Sequence, residues 1–163
     1  MSVPTIRPAT MADCDAVSRL LGEVDAQHVR LRPDVFQPFD DADAMRERVT
    51  GFVDNDDAEV LVAEMDGRIV GVASAQIHDN PGAPMFRPGR RAIMSDLVVE
   101  PEFRRSGIAK ELLARVAEWS RSRGFKSLGI NVWSANEEGL AFFIASGFTP
   151  RCQQMEMKIE PTQ

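Results

Sequence analysis

The chain contains no tyrosine, only two cysteines and two histidines, and no hydrophobic run long enough to cross a membrane. Cys14 and Cys152 are too few for a disulfide framework, so we expect ordinary reduced thiols. No Cys/His cluster has the spacing of metal ligands, so no metal site is expected. The N-terminus also lacks the charged and then apolar pattern of a secretion signal. We therefore expect a soluble, cytoplasmic protein with no membrane partner.

Two nucleotide-binding motifs are missing as well. The chain has no Gly-x-Gly-x-x-Gly after a strand, which argues against a dinucleotide fold, and no Gly-Lys-Ser/Thr, which excludes a nucleotide-hydrolysing P-loop. The net charge of −6 argues against nucleic acid as a partner. A length of 163 residues with 44% hydrophobic residues fits one domain over residues 1–163.

Basic residues are concentrated in one part of this acidic chain. Residues 87–110 hold six basic and three acidic side chains, which gives +3 locally and −9 for the rest. One interpretation is an ordinary solvated patch. The other is local attraction for an anionic cofactor, on a body whose negative charge would suit cationic amine substrates.

Periodicity and element order predict an α+β domain with helices on both faces of one mixed sheet. Asp66-Gly67 is a strong hairpin signal between two strands, and residues 78–90 are predicted to be a Pro- and Gly-rich loop. The element order is β-α-α-β-β-β-α-β-α-β. The predicted strands are 3–8, Glu59–Met65, Arg68–Ile77, 91–99, Ser127–Trp133 and Cys152–Ile159, and the predicted helices are 10–32, 40–53, 108–123 and Asn136–Ala145.

The most informative stretch is residues 92–109. A β-branched strand ends before Pro101, Arg104 and Arg105 follow, and Gly107 opens an amphipathic helix. The first N–H groups of a helix are unpaired and lie at the positive end of its dipole, so they bind anions. A glycine lets the backbone approach a phosphate closely. We therefore predict a pyrophosphate cradle here.

Three segments carry a family resemblance. Arg104–Ala109 resembles the Arg/Gln-x-x-Gly-x-Gly/Ala motif of the GCN5-related N-acetyltransferases, the GNAT family. Asn136–Phe148 is similar to that family's Asn-x-x-Ala-x-x-x-Tyr-x-x-x-Gly-Phe signature, with Gly139 at the Ala position and Phe143 at the Tyr position. Residues 6–10 resemble the family's first strand. The resemblance spans residues 5–158 and implies an α+β fold whose mixed sheet is twisted and mostly antiparallel.

The resemblance implies an N-acetyltransferase that binds acetyl-CoA in a V-shaped gap between strands 91–99 and 127–133, with a backbone N–H near Val98 polarising the thioester carbonyl. It implies a primary amine acceptor, on a small molecule or a peptide, and a homodimer formed through Gln153–Ile159. The alternative is a non-catalytic acyl-CoA sensor of the same fold. The predicted cofactor-binding residues are Leu97, Val98, Val99, Arg104, Arg105, Ser106, Gly107, Ile108, Ala109, Lys110, Asn136 and Phe143.

The candidate catalytic residues lie on or just after the central predicted strand. Asp96 is the first candidate for the base or water-orienting carboxylate, with an ordered water at Ser95, and Glu100 is the second. The competing interpretation is that Asp96 orders neighbouring backbone. Phe143 stands where family members often carry a tyrosine acid, and it has no proton to donate.

The acceptor pocket is predicted in the segment 27–36, which resembles the helix and loop that wall this pocket in some family members. We expect its contacts with the substrate to come from His28, Arg32 and Phe36.

Overall fold

The structure, a computed structural model, describes residues 3–82, 84, 85 and 87–159. It divides into two compact units, one extending to Asn131 and the other beginning at Val132. The first contains the whole sheet and the second contains the last helix. None of the helices within these described ranges combines the length and apolarity needed to span a bilayer.

The elements follow the predicted order as far as the last helix. The five strands form one sheet in sequence order, antiparallel except for the parallel pairing of the last two, which confirms the mixed, mostly antiparallel fold. Short 3-10 turns lie at Met11–Asp13 and Pro101–Phe103. The strands are β1 Thr5–Pro8, β2 Ala58–Met65, β3 Arg68–Asn80, β4 Gly89–Val99 and β5 Leu128–Ile130, and the helices are α1 Cys14–Leu31, α2 Ala42–Val53, α3 Ile108–Ser122 and α4 Glu137–Ala145.

Helices cover both faces of the sheet. Val72 belongs to a buried cluster that also contains the apolar residues of α1 and α2. A Cβ added at the preceding residue, Gly71, would lie 3.3 Å from Ile108 and from Leu112 of α3. Because successive strand residues point to opposite faces, α3 packs on the face opposite to α1 and α2.

The pairing of β4 with its neighbouring strands changes in the middle of β4. Ser74 pairs with Asp96 but Ala75 pairs with Met94, so Ser95 is the extra residue of a β-bulge. On the other side, β5 pairs with β4 only as far as Met94. No strand in the described part of the chain pairs with residues 95–99 on that side, so β4 has an open edge there.

The loop between β3 and β4 is shorter than predicted. β3 continues to Asn80 and β4 begins at Gly89, which leaves residues 81–88 between them. Asp79 accepts a hydrogen bond of 3.0 Å from Arg90, and Arg90 also forms an ion pair with Asp57. The Asp79–Arg90 pair joins β3 to β4 within a segment whose Pro and Gly content predicts a loop.

The prediction of a final strand at Cys152–Ile159 is wrong. Residues 151–159 contain no strand, and Met155, Met157 and Ile159 are each more than 80% exposed. Apolar alternation indicates a strand that can be half-buried, but the pattern does not supply the neighbour that would bury it. β5 is likewise shorter than the predicted Ser127–Trp133.

Candidate active site

The start of α3 has the geometry predicted for an anion cradle. Gly107 is the N-cap residue with φ of +91°, and a Cβ built there would meet nothing within 4 Å. No side chain caps the helix, and its first main-chain bond runs from the Glu111 N–H to the Gly107 carbonyl at 3.0 Å. The N–H groups that precede Glu111 therefore have no partner within the helix, which is the arrangement that can bind an anion.

The side chains around Gly107 divide into two groups. Arg104 donates through Nε to the Val99 carbonyl at 3.1 Å, and the Ser106 hydroxyl donates to the Phe103 carbonyl, so both brace the turn. Arg105 and Lys110 are exposed. Two predicted residues of the helix itself, Ile108 and Ala109, are buried and half-buried. The backbone therefore shapes the cradle, and Arg105 and Lys110 bring cationic side chains that can reach a ligand.

The open edge of β4 presents a defined set of main-chain groups. The Glu100 N–H donates to the Val70 carbonyl of β3 at 2.9 Å. Alternate residues of a strand direct their main-chain groups to the same neighbour, so Val98 also points to β3. Leu97 and Val99, the neighbours of Val98, point instead to the side on which β5 no longer pairs. An extended ligand can pair with this edge like an added strand.

Asp96 lies next to that edge and is only 7% exposed. Its Oδ2 accepts a hydrogen bond of 2.6 Å from the Ser74 hydroxyl, and its Oδ1 lies 3.7 Å from a guanidinium nitrogen of Arg48. Arg48 also donates to Asp25 at 3.3 Å. The sequence places these four residues on β4, β3, α2 and α1. They form one polar chain beside the bulge, and the neighbouring Ser95 is exposed.

A cavity of about 350 Å³ opens at the other end of this polar chain. Phe36, one of the predicted substrate contacts, lines it, and His28 stacks on Phe36 with ring centroids 5.1 Å apart. Arg32 instead forms a two-pronged ion pair with Asp34, at 2.7 and 2.8 Å. The full lining is Asp25, Val29, Phe36, Gln37, Phe39 and Arg48.

Glu100, the second base candidate, is fully committed to the fold. It is buried, and its two carboxylate oxygens each lie 2.6 Å from an arginine, Arg19 on α1 and Arg68 on β3. Both oxygens are therefore occupied by ion pairs within the fold. We interpret Glu100 as a structural residue whose ion pair with Arg19 connects α1 to the end of β4.

The second unit contains the other two predicted cofactor residues. Asn136 caps α4, accepting a hydrogen bond of 3.0 Å from the Gly139 N–H. A Cβ at Gly139 would lie 2.6 Å from the Asn136 amide nitrogen, so the glycine and the cap fit each other. Phe143 is buried edge-to-face between Phe142 and Phe148, with centroids 5.2 and 5.3 Å away.

Sequence reasoning missed Asp25, Arg48 and Ser74. Ser74 carried a usable signal, because it is a lone hydroxyl in a buried small-residue strand and needs a polar partner. Asp25 and Arg48 lie among other charged residues of amphipathic helices and carried none.

Comparison with known proteins gives one consistent result. Residues 26–148 match the acetyltransferase (GNAT) family. The chain is 29% identical over 164 residues to an aminoglycoside N(6')-acetyltransferase type 1 from Stenotrophomonas maltophilia, covering 99% of this chain and 97% of that protein. It is 33% identical over 103 residues to a glucosamine 6-phosphate N-acetyltransferase from Trypanosoma brucei brucei, covering 62% of this chain and 65% of that protein.

Solved structures share the fold. An aminoglycoside N-acetyltransferase, AAC(6')-Iy, in complex with CoA superposes with a TM-score of 0.76 at 20% identity, covering 99% of this chain and 97% of that one. A mutant protein from Bacillus halodurans superposes with a TM-score of 0.86 at 24% identity, covering 96% of this chain and 99% of that one.

Proposed function

Since the chain belongs to the acetyltransferase (GNAT) family, we propose that it transfers acetyl from acetyl-CoA to a primary amine of a small molecule or peptide. The observation that carries this proposal is the cradle at Gly107 together with the open edge of β4, eight residues earlier in the chain. One site offers donors to a pyrophosphate and the other offers an edge to an extended chain. Acetyl-CoA has both parts.

The residues present fit the donor. The first N–H groups of α3, with Arg105 and Lys110, would hold the pyrophosphate, and the N–H groups of Leu97 and Val99 would pair with the pantetheine arm and the thioester carbonyl. When bound, acetyl-CoA supplies the thioester that the amine attacks. Arg104 and Ser106 keep the turn in shape, and Ile108 anchors α3 in the core.

Asp96 is the residue that we assign to proton removal. An alkylamine has a pKa near about 10.4 and is protonated at neutral pH, so it must lose a proton to attack. Asp96 accepts a hydrogen bond from Ser74 on one oxygen, and its other oxygen lies 3.7 Å from Arg48, which lines the pocket. We propose that it orients a water at the exposed Ser95, which accepts the proton as the amine attacks.

Phe143 gives no acid help to the departing thiolate. A thiol has a pKa near about 8.5, so its thiolate leaves without protonation more readily than an alkoxide would. We propose that Phe143 packs against the donor and that Asn136 has its cofactor role in addition to capping α4.

The acceptor pocket is the cavity lined by Asp25, Phe36 and Arg48. A pocket that contains carboxylate and aromatic groups suits a cationic molecule that also has an apolar face. Amino sugars are the first candidates, because the two named relatives are acetyltransferases of an aminoglycoside and of glucosamine 6-phosphate. In this proposal Phe36 contacts the substrate directly, and His28 stacks on Phe36 and holds its ring in place. Arg32 pairs with Asp34 and so stabilises the turn that carries Phe36.

A second candidate is an acyl-CoA sensor that binds the donor without transferring acetyl. Phe143 favours it, because that position lacks the acid found in many family members. The two functions differ in one observable, which is release of the CoA thiol on addition of an amine.

Further parts of the proposal concern the whole chain. We propose that residues 1–163 form one N-acetyltransferase domain, supported by the match to a relative over 99% of this chain and 97% of that protein. We also propose a cytoplasmic location, which suits the free thiols of Cys14 and Cys152. A homodimer would cover the exposed apolar row of Met155, Met157 and Ile159.

A thiol-release screen tests the proposed function. Purified protein is given acetyl-CoA and a panel of amines: glucosamine, glucosamine 6-phosphate, aminoglycosides, polyamines, amino acids and peptides. We expect thiol release with at least one amine, and loss of most of it in Asp96→Asn. Donor binding without thiol release from any amine would favour the sensor, and no donor binding would contradict both.

A further inference from the structure

Arg48 is a cationic side chain in a pocket that we propose binds a cationic substrate. Its guanidinium lies between two carboxylates, with one nitrogen 3.3 Å from Asp25 and another 3.7 Å from Asp96. It also lines the cavity that contains Phe36. The ammonium group of an acceptor would be attracted to the same two carboxylates.

The contacts of Arg48 are loose. Charge-assisted N–H to carboxylate bonds are about 2.7–2.9 Å long, and Arg19 and Arg68 each lie 2.6 Å from Glu100. Arg48 reaches neither carboxylate that closely, and its side chain is 39% exposed. A long, flexible side chain held in this way can swing its charged end into water at little cost.

The charge of the site changes when Arg48 leaves. The guanidinium carries one positive charge. With Arg48 in place, two carboxylates and one guanidinium leave a charge of −1 beside the cavity. An ammonium that replaces the guanidinium restores that balance and places the amine next to Asp96.

From this geometry we infer that Arg48 is a specificity-determining residue of the proposed acceptor pocket: it occupies the place of the acceptor's ammonium group and is displaced when the acceptor binds. The inference rests on the proposed function. It differs from a role as an anion receptor, in which Arg48 would bind a phosphate of the acceptor. The two carboxylates that already face the guanidinium disfavour that role.

The test compares Arg48→Met with two other variants. Methionine keeps much of the side-chain length and removes the charge, whereas Arg48→Lys keeps the charge. Arg46→Met is the matched control, because Arg46 lies on the same helix, is exposed, pairs with Asp15 and does not line the cavity. KM and kcat are measured at saturating acetyl-CoA for glucosamine, glucosamine 6-phosphate and 1,4-diaminobutane, and melting temperatures verify that each variant is folded.

We expect Arg48→Met to lower KM for the amines about fivefold, the upper range for a partly exposed ion pair. Arg48→Lys should restore the wild-type KM, and Arg46→Met should leave it unchanged. An unchanged or raised KM for all three amines in Arg48→Met would overturn the inference. A raised KM for glucosamine 6-phosphate alone would assign Arg48 to phosphate binding instead. If wild type releases no thiol with any amine, the proposed function fails first.

Discussion

Replacement of Asp96 by asparagine separates its chemistry from its structural role. Asn has the same size, and the Ser74 hydroxyl that now donates to Oδ2 at 2.6 Å can donate to the amide oxygen. The lost attraction to Arg48, over 3.7 Å and with Arg48 partly exposed, is worth at most about 1 kcal/mol. We therefore expect Asp96→Asn to fold with nearly wild-type stability.

The effect of Asp96→Asn on turnover should be much larger. Proton transfer by a positioned side chain contributes about 10²–10⁴-fold, and a carboxylate that acts through a water belongs at the lower end, so kcat should fall about 10²-fold. KM for acetyl-CoA should be unchanged, because the donor is assigned to main-chain groups of Leu97 and Val99 and to the cradle. Initial rates of thiol release, with the best amine of the screen, measure both parameters.

Glu100→Gln is the comparison variant, in which we expect a loss of stability rather than a loss of turnover. Glu100 lies four residues along the chain and is held by Arg19 and Arg68, so its loss should lower the free energy of unfolding by roughly 1–3 kcal/mol. Its kcat per folded molecule should stay within about threefold of wild type. An unchanged kcat in Asp96→Asn, or the roughly 10²-fold loss in Glu100→Gln instead, would contradict the assignment of proton removal to Asp96.

Three further predictions concern other parts of the chain. Phe143→Tyr should leave kcat unchanged or raise it, most visibly at low pH, because it adds an acid where none exists; a tenfold fall in thiol-release rate would show that apolar packing governs this position. Hydrogen bonds from Arg7, and then from Thr10, hold the pKa of Asp13 well below its usual range, so this carboxylate stabilises the fold above about pH 4 and loses that contribution as the pH falls further. Asp13→Asn should therefore cost about 2 kcal/mol at pH 7 in urea unfolding, with a gap to wild type that narrows below pH 4, and a gap independent of pH would contradict the assignment. Light scattering should give about twice the 18.1 kDa of one chain, reduced to one chain by Met157→Lys; a monomer of the wild type at all micromolar concentrations would exclude the dimer.

The predictable part of the site is the part that is local in sequence. The strand, Pro101, the two arginines and Gly107 are contiguous, and helix capping and backbone strain act within a few residues, so their pattern predicts the cradle. The hairpin at Asp66-Gly67 is predictable for the same reason, and the structure gives both residues a positive φ.

The unpredictable part depends on contacts between distant elements. Asp25, Arg48, Ser74 and Asp96 come from four different elements, and their meeting depends on the register of β3 against β4 and on the bulge at Ser95. A bulge reverses which residues face each side of a sheet, and no residue type demands it. The two ion pairs of Glu100 could not be predicted for the same reason, because Arg19 and Arg68 are far from it in sequence.

The central claim is that the start of α3 holds the pyrophosphate of acetyl-CoA, and titration calorimetry of acetyl-CoA tests it most directly. Gly107 and Gly124 lie at opposite ends of α3 with φ of +91° and +84°, and each has open space where a side chain would go. Glutamate therefore strains both positions alike, but only at Gly107 does it place a negative charge in the cradle. We predict that wild type and Gly124→Glu bind acetyl-CoA alike and that Gly107→Glu binds at least about tenfold more weakly. Equal binding by Gly107→Glu and wild type, or no binding by wild type, would contradict the account.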